Sequence, residues 1–127
     1  MPKKKSTEKQ NSAREDLRFN IRLRIYKTDK VFGPGVAELM RLVEETSSLS
    51  EACRRMDMAY SKGWKIIKRS EEDFGVTLMK GTRGGETGGR TVLTEEGRDI
   101  LRRYTEMKQA LDAEGKKLFT KYFGPIT

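Results

Sequence analysis

The sequence contains no histidine, a single cysteine (Cys53) and only three prolines among 127 residues. Without histidine there is no Ser-His-Asp or Cys-His nucleophile, since both need an imidazole base. One cysteine cannot close an internal disulfide or furnish a Cys/His zinc site. No apolar run approaches the roughly 18–20 residues that span a bilayer. The N-terminus is basic, but no apolar stretch follows it, so it does not read as a secretory signal. No catalytic, cofactor-binding or metal-binding residues are expected, and the chain is read as a non-enzymatic cytoplasmic protein.

What is present is positive charge. Lys and Arg number 27 against 19 Asp and Glu, for a net charge of +8, which points to an anionic partner such as nucleic acid. The charge is uneven: residues 1–30 hold ten Lys/Arg against four Asp/Glu. Residues 1–16 read as a basic disordered arm, either a solubility tail or a phosphate-contacting segment. A second basic island, AYSKGWKIIKRS (59–70), contains Lys62, Lys65, Lys68 and Arg69 and no acid. The acids Glu71, Glu72 and Asp73 follow it and read as a solvated helix end.

Periodicity supplies the elements. From Leu17 to Tyr26 apolar and polar residues alternate, which predicts a ten-residue strand burying one face. Val36, Leu39, Met40 and Val43 form a helical stripe, with Pro34 just before it where a missing N–H costs nothing. Ser47-Ser48 offers a cap for a short helix from Leu49 to Met56, facing inward with Leu49, Ala52, Cys53 and Met56. A tight break at Asp57-Met58-Ala59 precedes a third helix, Tyr60–Phe74, with Gly63, Ile66, Ile67 and Phe74 inward, and Gly75 stops it. A strand from Val76, a polar glycine-rich loop (81–90) and a return strand Thr91–Leu93 make a hairpin. Thr94 caps a last helix running to about Phe123, though Gly115 argues against its being unbroken. The fold class expected is mainly α with small β: a winged helix-turn-helix with an N-terminal strand and a long C-terminal dimerisation helix. The corresponding organisation is a 1–16 arm, a 17–93 DNA-binding domain and a 94–127 dimerisation helix.

The helix-turn-helix reading rests on Leu49–Ile67. Such a motif needs small residues where its helices cross (Ala52, Cys53), an apolar pin near the turn (Met58) and an apolar inner face on the second helix (Ile66, Ile67). The outer face must then offer donors to bases and phosphates. Tyr60, Ser61, Lys62 and Lys65 are the candidates for the major groove, and Lys68 and Arg69 for phosphates. Trp64 is open between packing against the hairpin and contacting the DNA backbone. In the hairpin loop, Thr82, Arg83, Thr87 and Arg90 are candidates for phosphate or minor-groove contact, with glycines permitting close approach. The loop lacks the G-x-x-x-x-G-K-[ST] pattern of a nucleotide site. A basic solvated helix in an ordinary bundle is the alternative to the DNA-reading helix. Cys53 reads as a small core residue.

Residues 32–104 resemble the N-terminal DNA-binding domain of the ModE family of molybdate-responsive regulators. The resemblance is carried by FGPG (32–35), SSLSEACRRMDMAYSKGW (47–64) and FGVTLMKGTRGGETGGRTVLTEEGRDILRRY (74–104). The LysR family shares the helix-turn-helix but lacks this wing composition. Two departures stand out. The chain ends at Thr127 without the oxyanion-binding domains of full-length members, so molybdate or another oxyanion is not expected to bind it. Asp57 stands in the turn where glycine is usual, which Asp tolerates because it enters the left-handed region more readily than most residues.

Together these features predict a sequence-specific regulator that binds double-stranded DNA as a homodimer, nucleoid-associated, on a pseudo-palindrome with half-sites about 34 Å apart. The surfaces expected to build the dimer are Leu17, Phe19, Ile21 and Leu23 on the strand and Ile100, Tyr104, Met107, Leu111 and Leu118 on the last helix. Two other functions fit the same residues: a non-specific architectural protein, and a DNA-binding module serving a separate effector-sensing partner.

Overall fold

The computed structural model describes residues 16–82 and 90–125, apart from the side chain of Lys30. The described residues form two compact units: those within 22–106, and residues 16–21 together with 107–125. The expected arm at residues 1–15 lies outside the described residues.

Residues 22–106 open with a minimal hairpin, β1 (Ile25–Tyr26) antiparallel to β2 (Lys30–Phe32). Three helices follow: α1 (Pro34–Thr46), α2 (Leu49–Arg55) and α3 (Tyr60–Phe74). Pro34 takes the first helical turn of α1, and the buried stripe is Val36, Ala37, Leu39, Met40 and Val43. Ser47 adopts a left-handed conformation (φ 58°), and its neighbour Ser48 caps α2, its Oγ accepting from the Glu51 amide at 3.0 Å. Asp57, in the turn before α3, is also left-handed (φ 53°). Gly75 closes α3 at φ 71°, where glycine carries no Cβ penalty. The second hairpin pairs β3 (Met79–Thr82) with β4 (Arg90–Leu93), Met79 opposite Leu93 and Thr82 opposite Arg90. Helix α4 then spans Glu95–Phe123. Thr94 Oγ1 accepts from the Gly97 amide at 2.9 Å and donates to the Thr77 carbonyl.

Phe32, Leu39, Met40, Val43, Cys53, Leu78 and Leu93 are fully enclosed. Phe32 meets Phe74 and Tyr104 edge-on, with ring centroids 5.8 and 4.9 Å apart. The Tyr104 hydroxyl donates to the Leu23 carbonyl at 2.7 Å. Glycine sets both the crossing of α2 with α3 and the close approach of α4 to the start of the second hairpin. A Cβ on Gly63 would stand 2.2 Å from Cys53 Sγ, and one on Gly97 would stand 2.2 Å from the Leu78 carbonyl oxygen.

In the other unit Phe19 packs on Phe119 (5.2 Å), which packs on Phe123 (5.7 Å). A Cβ on Gly115 would lie 2.9 Å from the Phe19 ring, so this glycine makes room for an aromatic. Leu17, Phe19, Met107, Leu118, Tyr122 and Phe123 remain exposed.

Four expectations need correction. The strand over 17–26 shrinks to Ile25–Tyr26, although Ile21, Leu23 and Ile25 still bury more than Arg22, Arg24 and Tyr26. A strand requires a hydrogen-bonded partner, and β2 offers only three residues. Likewise β3 begins at Met79 rather than Val76, because its partner β4 ends at Leu93, opposite Met79, and the amides of Leu78 and Met79 go to the Glu71 side chain. For that reason Glu71 is not a solvated helix end. Finally, α4 runs through Gly115 unbroken.

Alanine is better than glycine in a helix interior by about 1 kcal/mol, yet the Gly63–Cys53 contact makes the opposite sign the expected one here. Gly63→Ala should lower stability by about 1–3 kcal/mol through overpacking. In a Cys53→Ala background, with the sulfur gone, the same change should become neutral or stabilising. Urea unfolding of the four members of this cycle measures the coupling; simple additivity would show that the crossing is not the constraint.

Candidate nucleic-acid interface

The break at Asp57–Ala59 delivers the first turn of α3 to solvent. Ala59 is extended (φ −65°, ψ 144°), and no side chain caps the helix. The inward face of α3 is then Gly63, Ile67 and Ser70, with Ile66, Glu71 and Phe74 partly buried. Ser70, which sequence reasoning did not single out, is buried, and its Oγ donates to the Val31 carbonyl at 2.6 Å. This bond ties α3 to β2 and leaves the opposite face exposed.

All seven candidates on α3 stand on that exposed side: Tyr60, Ser61, Lys62, Trp64, Lys65, Lys68 and Arg69. Their circumstances differ. Lys62 and Lys65 have no ion pair among the described residues. Lys68 Nζ lies 3.1 Å from Glu71 Oε1, and Arg69 Nη2 lies 2.7 Å from Asp29 Oδ2 in the β1–β2 turn. Trp64 is 46% exposed, with Lys68 Nζ 5.5 Å from its ring centroid. It forms one wall of a cleft of about 180 Å³ between α3 and the second hairpin, together with Tyr60. Met79, Lys80, Gly81 and Thr91 form the facing wall, over a floor that includes Leu49 and Ile67. The two readings of Trp64 are therefore not exclusive: the ring faces the hairpin and stays accessible.

On the hairpin, Thr82 and Arg90 are both exposed and directly opposed, and Thr82 Oγ1 donates to the Arg90 carbonyl at 3.4 Å. Arg83 and Thr87 lie outside the described residues. Lys80 was missed by sequence reasoning. It is exposed on β3 beside Gly81 and faces the same cleft. No sequence signal marked it: alternation puts Lys80 on the same face as buried Leu78. The hairpin is fixed to the helices by the Thr91 amide, which donates to the Ser47 carbonyl at 3.0 Å, and by the Thr94 amide, which donates to the Leu78 carbonyl at 3.0 Å.

The candidates for dimerisation fall in different places. Tyr104 is buried in the core of residues 22–106, with Leu23 and Ile100 packed against that core. Leu17, Phe19, Met107 and Leu118 are exposed, and Ile21 and Leu111 half-buried.

Electrostatics within the helix-turn-helix favour a rigid support. The hydrogen bond from Arg54 holds the Glu51 carboxyl down to about 2, with Arg55 adding to the effect. Arg54 Nε reaches Glu51 Oε2 at 2.9 Å, and Arg55 also reaches Glu45 at 3.2 Å. Burial pushes the Cys53 thiol up, which keeps it neutral and unreactive at ordinary pH. Among the described residues no group of three or more Cys, Asp or Glu is placed to hold a metal ion. Nor is any described helix long and apolar enough to cross a membrane.

The depressed Glu51 value gives a pH dependence. Its contribution is present above the ordinary value of 4.5 and is lost as pH falls from there towards about 2. Wild type should therefore lose thermal stability over this window more steeply than Glu51→Gln. Parallel melting curves from pH 6 to pH 2 check this; identical slopes for the two proteins would remove Glu51 from the account.

Comparison with known proteins agrees with this geometry. Residues 37–98, just under half of the chain, match the bacterial regulatory helix-turn-helix protein, lysR family. The match runs from α1 through the hairpin into the first turn of α4. It supports a helix-turn-helix regulator, a coarser statement than the ModE resemblance over residues 32–104. No curated protein matches the chain. Among solved structures, a mutant of Lactococcus lactis ZitR aligns with a TM-score of 0.52 at 15% identity, covering 95% of this chain and 83% of its own. At that identity the likeness speaks for the fold. The chain thus has a winged helix-turn-helix fold, and its residues 37–98 are similar to the helix-turn-helix of lysR-type regulators, the architecture of a DNA-binding transcription regulator.

Proposed function

We propose that this protein is a homodimeric, sequence-specific transcription regulator of the ModE type, acting on a pseudo-palindromic operator in the bacterial cytoplasm. The observation that carries the reading is the exposed face of α3. It presents two hydroxyls, an indole and two ammonium groups without ion pairs among the described residues, on a helix held from behind by Gly63, Ile67 and Ser70. In this reading Tyr60, Ser61, Lys62 and Lys65 meet base edges in the major groove. Thr82, Lys80 and Arg90 meet the flanking backbone, and Arg69, steadied by Asp29, meets a phosphate beside the helix. Arg83 and Thr87 extend the wing contact. Dimerisation falls to the exposed apolar groups of the second unit, Leu17, Phe19, Met107 and Leu118, which are large for a surface with no partner.

The deciding experiment selects bound fragments from sheared bacterial genomic DNA, with excess competitor at roughly 0.15 M salt. A few enriched fragments sharing an inverted repeat are expected. Retention without any shared motif would replace this reading with that of an architectural protein. Lys62→Ala or Lys65→Ala should weaken the selected operator more than random DNA, by about 1–3 kcal/mol in discrimination. Equal weakening on both DNAs would mean that neither lysine reads bases. Sedimentation at micromolar concentration should give a dimer, and a monomer there would remove the paired half-sites.

A further inference from the structure

Glu71 joins two parts of the interface that the sequence treats as separate. Its side chain is only 11% exposed. Oε2 accepts from the backbone amides of Leu78 and Met79, at 2.8 and 3.3 Å, where β3 begins. Oε1 lies 3.1 Å from Lys68 Nζ, one turn earlier on α3. Lys68 in turn stands over the Trp64 ring, 5.5 Å from its centroid, at the wall of the cleft. A carboxylate offers about four acceptor positions, so three of them are engaged, two by the hairpin backbone. Bonds to an ionised acceptor are stronger than neutral ones. A carboxylate this enclosed also needs a counter-charge, which Lys68 supplies.

We propose that Glu71 is a positioning residue that fixes the wing against the DNA-reading helix, and that Lys68 is its counter-ion rather than a phosphate contact. This rests on the DNA-binding function proposed above and refines it. Of the contacts that hold the hairpin, Glu71 is the one that ties it directly to α3, so it bears on the distance between major-groove contacts on α3 and wing contacts on β3–β4. On α3, Lys62, Lys65 and Arg69 remain the cations assigned to DNA, and Lys68 is committed within the protein. Trp64 keeps its place because Lys68 is held above it.

Two measurements test this. The first uses free protein and needs no DNA: hydrogen exchange at the Leu78 and Met79 amides. Glu71→Ala should accelerate both by about tenfold or more as local protection is lost, whereas Glu71→Gln, which keeps an acceptor oxygen, should stay near wild type. Glu71→Asp, one methylene shorter, serves the same purpose as Ala if the alanine variant fails to fold. Unchanged exchange in Ala and Asp variants would overturn the positioning role. The second is the salt dependence of DNA binding. Arg69→Ala, at the α3 residue assigned to a phosphate, should reduce the slope by about one, the value for one phosphate contact. Lys68→Met, which keeps an apolar stem over Trp64, should lower affinity while leaving the slope as it is. A slope reduced by about one in Lys68→Met would make Lys68 a phosphate contact and overturn the counter-ion assignment. If wild type binds no DNA at any salt, the proposed function fails, and the exchange measurement still decides the role of Glu71.

Discussion

The close crossing of α2 and α3 at Gly63 and Cys53 governs what the protein can present to a partner. With no side chain at position 63, the two backbones approach until the cysteine sulfur fills the space a Cβ would occupy. The turn that allows the crossing is short, and Asp57 takes the left-handed conformation in it. The Met58 amide folds back to the Cys53 carbonyl at 3.0 Å, so the turn is closed by the same residue that receives the glycine. Once α3 is seated this way, its period of 3.6 residues decides the rest: Ile67 and Ser70 follow Gly63 inward, and the basic residues are left outside. The exposed chemistry of α3 is in this sense a by-product of packing on its other side.

A second glycine repeats the device at the root of α4. Gly97 sits over the Leu78 carbonyl, and Thr94 bonds both to the helix it caps and to the Thr77 carbonyl before β3. The hairpin is therefore held at its base by α4, by Ser47 at the α1–α2 corner and by Glu71 of α3. Three separate elements fix a sheet of only two strands, which alone would be marginal in water.

Much of this was legible in the sequence because it depends on local pattern. The stripe in α1, the Ser48 cap, the break at Asp57, the inward Gly63 and Ile67 and the Thr94 cap all follow from residue type and spacing, and all appear. What escaped depends on partners distant in the chain. Alternation over 17–26 is a property of the segment, but strand pairing is a property of its neighbour, and β2 is short. Ser70 and Glu71 look like surface residues until Val31 and the start of β3 arrive beside them. The candidate site was similarly half visible. The exposed face of α3 and the i,i+3 spacing of Lys68 and Glu71 could be read from periodicity, whereas the carboxylate that engages Arg69 could not, because Asp29 is 40 residues from its arginine.

The way the wing is anchored also bears on how the molecule behaves in a crowded solution. A two-stranded sheet has open edges, and unpaired strand amides are a template on which another chain can add. Here β4 gives the Thr91 amide to Ser47, and the amides of Leu78 and Met79, where β3 starts, go to a carboxylate that no incoming strand can match in charge. The lower part of the hairpin is thus closed to edge-on addition by the same groups that hold it in place. Lys80 and Arg90 further up add positive charge where two such hairpins would meet, so strand exchange between copies is opposed along the described length of the ribbon.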